Sequence, residues 1–181
     1  MSRFIAFLLL ALAAWWFATS TDTEAVILAD GSLEYPGYTI RNPEPFMLEA
    51  RVLSREDYFT DDGAKLSPTD LALGWGPMAD EDVLRSIQIR QSGRWYYWRA
   101  DALPIPREDI QTHSANVHMV PANELAARDL GRVSRHDRIR VTGQLVDIYR
   151  DDGWRWLSSR SRTDTGAGSC ELLLLDRIEF L

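Results

Sequence analysis

His113 and His118, with Asn116 between them, are the first residues whose types could do chemistry. Imidazoles ligate metals and shuttle protons, but helical metal pairs favour spacings of three or four, and strand pairs two. Across a loop, the spacing of five could converge on a metal or a hydrolytic site. The more economical role is hydrogen bonding to backbone. His136 lies between Arg135 and Asp137 and reads as a surface residue. Cys170, the lone cysteine, could serve as a thiolate nucleophile beside one of these histidines. It shares a phase with Leu172 and Leu174, however, which points it at a core. No G-x-S-x-G elbow occurs, and the only lysine, Lys65, has Asp62 three residues before it, which removes Ser-x-x-Lys chemistry. Asp57, Asp61 and Asp62 miss the ligand spacing of a calcium loop. Gly166-Ala167-Gly168 lacks the lysine and following helix of a phosphate loop. No complete catalytic set results, and no cofactor or metal is implied.

Charge placement suggests binding instead. Residues 128–162 hold nine arginines against five acids, whereas residues 55–82 hold two basic groups against eight acids. The bland reading is that these segments face each other or are separately solvated. The functional reading is a basic, aromatic face built from Arg138, Arg140, Arg155, Arg160 and Arg162 with Trp154 and Trp156. Arginine beside tryptophan offers stacking and bidentate hydrogen bonds to anions or sugars. The whole chain carries −7, which argues against a nucleic-acid partner.

The elements that must position these residues begin with an export segment. Arg3 precedes fifteen apolar residues, Phe4 to Ala18, with no charge, Gly or Pro. The run has the form of a secretory h-region and is short for a bilayer span. Trp15-Trp16-Phe17 at its exit end would suit the aromatic belt of a retained anchor. Residues 1–25 are therefore a signal peptide or an N-terminal hydrophobic membrane helix. Either places the body outside the inner membrane, in the periplasm or secreted. The partners that follow are the membrane itself and a glycan or envelope protein. A single cysteine fits an oxidising compartment, because it has no mispairing partner within the chain.

Residues 26–45, with three prolines and two glycines, read as a tether. Residues 46–181 read as a single β-rich domain. Its expected elements are a strand at Met47–Leu53, a helix starting at Ser67-Pro68 and stopping before Gly74, and a short helix capped by Asp80. A hairpin follows around Ser92-Gly93, with a second strand central or covered on both sides. Residues 101–120 read as irregular, and Pro121 opens a helix to about Leu130. Arg138 to Leu145 alternates strictly, and the apolar phase slips at Val146 and Ile148 as at a bulge. Asp151-Asp152-Gly153 is a turn, and Cys170–Leu181 completes a three-stranded meander.

The order of strand, hairpin, helix, a strand with Val141-x-Gly143-x-Leu145, and a return strand resembles an OB-fold, a small five-stranded barrel. The implied class is α+β, β-rich, with an OB-like or SH3-like barrel. The strings Leu73-Gly74-Trp75-Gly76-Pro77-Met78, His113-Ser114-Ala115-Asn116 and Asp152-Gly153-Trp154-Arg155-Trp156 are similar to those of a family of uncharacterised exported or membrane-anchored bacterial proteins. That resemblance implies no activity and no catalytic residue. A non-enzymatic binding domain is the expectation, with a structural subunit of an envelope complex or a His-based hydrolase as alternatives.

Overall fold

A computed structural model describes residues 26–27, 33–35, 37–161 and 169–181. The export segment, Arg162 and the Gly166–Gly168 loop lie outside the described residues. The strands are β1 (Val26–Ile27), β2 (Leu33–Tyr35), β3 (Tyr38–Asp57), β4 (Thr69–Gly74), β5 (Gln88–Ser92), β6 (Trp95–Arg99), β7 (Ser114–Pro121), β8 (Arg138–Tyr149), β9 (Arg155–Trp156) and β10 (Glu171–Phe180). The α-helices are α1 (Glu81–Leu84), α2 (Arg107–Thr112) and α3 (Glu124–Leu130). No helix among the described residues is long and apolar enough to cross a membrane.

Five strands close into a near-ring in the order β3-β4-β7-β10-β8, and β8 pairs back onto β3. Every pairing is antiparallel except β7 with β10, which run parallel from Glu171 opposite Val117 to Leu175 opposite Pro121. All five strands send side chains into one apolar cluster, which Ala126 and Leu130 of α3 join. Asn123 starts α3 by accepting a hydrogen bond from the Ala126 N–H at 2.9 Å. A second cluster, with Ile40, Val120, Val146, Ile148 and Leu172, sits on the opposite sheet face beneath Trp154 and Trp156. A third, around Leu53, Ala72, Met78, Ile87 and Ile110, carries the β5–β6 hairpin, which is a separate two-stranded sheet.

Several expectations are corrected. Residues 38–45, read as tether, are the first part of β3 and pair with β8. Thr69–Gly74 is a strand, not a helix, and all six of its residues are buried. A short run covered on both faces has no period that separates strand from helix. Ser114–Pro121, read as irregular, is β7, an internal strand of the ring. The hairpin's second strand is not covered on both sides, since Trp95 and Tyr97 are 40% and 46% exposed. The phase change at Val146 is no bulge in β8. Leu145 faces the ring interior while Val146 and Ile148 face the second cluster, because this end of the strand is buried on both sides. The irregularity lies opposite, between Arg41 and Glu44 of β3, where Asn42 takes φ +52°. The last three strands form no meander: β10 skips β9 and pairs with β8 and β7. A shift between Leu175 and Arg177 also puts Ile178 in the ring interior, out of phase with Leu172 and Leu174.

Candidate functional site

Ser92-Gly93-Arg94-Trp95 is a two-residue hairpin turn with φ +60° at Gly93 and +70° at Arg94. A turn of the I′ type requires positive φ at both central residues, which glycine tolerates and arginine resists. The arginine is held there by its contacts. Its Nε and Nη2 bond Asp61 in a fork at 2.9 and 2.8 Å. Its Nη1 donates to Asp70 at 2.8 Å and to the Ser67 carbonyl at 2.9 Å. Its guanidinium lies 3.7 Å from the centre of the Tyr58 ring. Burial disfavours the charge, but Asp61 and Asp70 outweigh it and raise the guanidinium pKa. Arg94 holds Asp61 below the usual carboxylate range. Burial pushes the Tyr58 hydroxyl up to about 12.

Asp70, fully buried on β4, is the centre of this cluster. His118 of β7 lies opposite it in register, with Nδ1 2.9 Å from Asp70 Oδ1 but off the axis of a hydrogen bond. The Asn116 amide donates to Asp70 Oδ2 at 3.3 Å and to the Arg94 carbonyl at 3.2 Å, and Gln91 donates to Asn116 Oδ1 at 2.6 Å. Trp156 covers His118, the ring centres being 4.5 Å apart. The Cys170 thiol reaches the Arg94 carbonyl at 4.0 Å. An Asp–His pair can polarise an imidazole for proton transfer, but here Asp70 is fully buried and His118 is 3% exposed. The arrangement fastens three segments together: the hairpin tip, the 58–68 connection and the β4–β7 face.

The candidate histidines do not converge. His113 caps the C-terminus of α2, just before β7, with its Nδ1 2.9 Å from the Asp109 carbonyl and its ring against Gly76 and Trp75. The candidate basic face is likewise spread out. Arg138 and Arg140 begin β8, and Arg140 bonds Glu49 and Glu179 across both neighbouring strands. Trp156 and Arg155 pair with Ile148 and Tyr149 at the far end, about 30 Å along the strand at ~3.3 Å per residue. Arg160 bonds Asp147 at 3.0 Å, Glu44 at 3.5 Å and the Asn42 carbonyl at 2.8 Å, which fixes the β3 irregularity. Asp57, once a calcium candidate, pairs with Arg55 and Thr69.

An accessible concavity lies elsewhere. A cleft of about 680 Å³ opens between α1, β5 and the 134–137 turn. Leu53, Ile87, Ile89 and Leu84 give it apolar walls, and Arg85, Gln88, Arg135 and His136 give it polar ones. Asp80 starts α1 by accepting from the Asp82 N–H at 2.7 Å. The opposite turn is pinned to β3: the His136 N–H donates to the Val52 carbonyl at 2.8 Å, and its carbonyl accepts from Arg51 at 3.1 Å. His136 holds φ +78° under that restraint. Sequence reasoning missed Asp70 and Arg94. The available signal was the hairpin turn, where arginine replaces the expected Asn or Gly.

Comparison with protein-family models, with curated proteins and with solved structures finds no match.

Proposed function

We propose that the protein is a non-enzymatic binding domain, with an OB-like body held at the outer face of the inner membrane by its N-terminal apolar segment. The OB-like reading is supported by the ring order, by the parallel β7–β10 pairing and by α3 placed between the third and fourth ring strands. In such barrels the face of the second and third strands, here β4 and β7, commonly takes the ligand. This chain lays its own β5–β6 hairpin over that face and opens a cleft beside it.

The cleft is the single observation that carries the binding reading. Its volume falls in the range of about 300–1,000 Å³ typical of ligand pockets, and it mixes apolar walls with a few polar groups. The hydrolase alternative has less support, because Asp70 and His118 are engaged in packing the hairpin. An assembly-subunit reading is favoured by one feature, the outward hairpin face. Arg90, Trp95, Tyr97 and Arg99 are all exposed there, with Arg90 over the Tyr97 ring at 5.6 Å.

The test uses the full chain in lipid nanodiscs. Thermal unfolding against a panel of small envelope solutes is compared with the same panel on Leu84→Trp, which fills the cleft. A ligand at one hundred times its Kd stabilises by about 2.7 kcal/mol. The binding reading expects at least one such shift, lost in Leu84→Trp. No shift from any solute, together with a stoichiometric protein crosslinked in cells through a photoreactive group at Tyr97, overturns it in favour of assembly. Protease that reaches the body only after the inner membrane is breached contradicts the proposed location.

A further inference from the structure

We infer that the cleft takes a small amphipathic acid, a molecule with an apolar body and one carboxylate. The inference rests on the binding reading and adds the ligand's chemistry. The apolar body is set by Leu53 and Ile87, both nearly fully buried, and by Ile89 and Leu84 beside them. Leu84 and Ile89, half-buried, present the accessible part of this wall and Leu53 and Ile87 back it, so that burying a ligand's carbon atoms there gains about 25 cal/mol per Å².

The head group is set by which charges remain uncommitted. Glu81, the acid on the rim, is engaged by Arg51 at 3.1 Å. Arg85 is engaged by Asp82 one turn earlier on the same segment. Arg135 makes no ion pair among the described residues, and its guanidinium fork suits a carboxylate. His136 stands beside it with a ring that can donate a further hydrogen bond. The turn that carries both is preorganised. Ser134 N–H donates to Asp137 Oδ2 at 2.7 Å, and Val52 N–H donates to the Asp137 carbonyl at 2.9 Å. Arg135, without an ion pair among the described residues, and Glu81 nearby favour a single negative charge over a doubly charged phosphate.

Calorimetry on the full chain in nanodiscs, blanked against empty nanodiscs, tests this with 4-phenylbutyrate, its neutral amide, acetate and N-acetyl-leucyl-leucine. The acid should bind at least tenfold more tightly than the amide, and acetate should not bind. Arg135→Ala, at an exposed turn, should erase the difference between acid and amide while leaving amide binding intact. Leu84→Trp should abolish binding of both. Tighter binding of the acetylated dipeptide than of phenylbutyrate assigns the head to a peptide C-terminus, and weaker binding assigns it to a free organic acid. Equal binding of acid and amide, or a difference that survives Arg135→Ala, overturns the inference and leaves the binding reading standing. Silence from every probe here and in the solute panel overturns both.

Discussion

At the scale of single residues, Asp70 and Arg94 bear the most. Asp70 is fully buried and accepts from Arg94 and Asn116, so Asp70→Ala leaves a half-buried guanidinium short of a partner. Removing one member of a buried ionic cluster costs about 3–5 kcal/mol. Asp61 bonds the same guanidinium from a more exposed position, and Asp61→Ala should cost at most about 1 kcal/mol. Urea midpoints of the two variants check the contrast. The pH dependence has a fixed sign. Arg94 lowers the Asp61 carboxyl in the folded state, so its stabilisation is full above the ordinary carboxylate range and is lost as pH falls through the lowered value. The urea midpoint should drop in acid, and Asp61→Asn should flatten that drop. None of this was evident from the histidine spacing, because His118 faces Asp70 across a β4–β7 pairing that residue order alone does not reveal.

At the scale of elements, the hairpin and the ring make different predictions. Arg94→Ala removes the bonds that hold the hairpin tip to the 58–68 connection and to β4. Amide exchange should quicken in β5 and β6 and stay slow in β7 and β10. Gly143 lies where β8 meets β10, and a Cβ there would stand 2.1 Å from the Leu174 carbonyl oxygen. Gly143→Ala must push the two strands apart, and we expect a loss of about 3 kcal/mol or more in denaturant unfolding. Trp156, read as a ligand contact, packs against His118, Trp154 and Gly63. Trp156→Ala should cost about 3–5 kcal/mol, while Arg155→Ala, exposed on β9, should change stability by less than about 0.5 kcal/mol. Elements with a strong local signal were legible: the Arg138–Leu145 alternation, the turns at Gly93 and Gly153, and the helix ending at Leu130, although Pro121, expected to open it, is the last residue of β7 and Asn123 caps its start instead. β4 and β7 were not. Their residues are buried nearly throughout, so amphipathic period is absent and only their neighbours in the ring define them.

At the scale of the whole molecule, one five-stranded ring supports two surface devices on the flank of β4 and β7. The Asp70–Arg94 cluster fastens the hairpin down, and the gap between that hairpin and the 134–137 turn forms the cleft. The overall β-rich character was readable from composition and alternation. The cleft was not, because its walls come from residues 53, 81–89 and 135–136, which only the fold brings together. The account therefore stands or falls on where a ligand touches the protein. Chemical-shift mapping of the full chain in nanodiscs, with and without 4-phenylbutyrate, reads this directly. The account predicts shifts at Leu53, Leu84, Ile89 and Arg135, with the Trp154 and Trp156 indoles unmoved. Shifts at those two indoles with the cleft silent would contradict it.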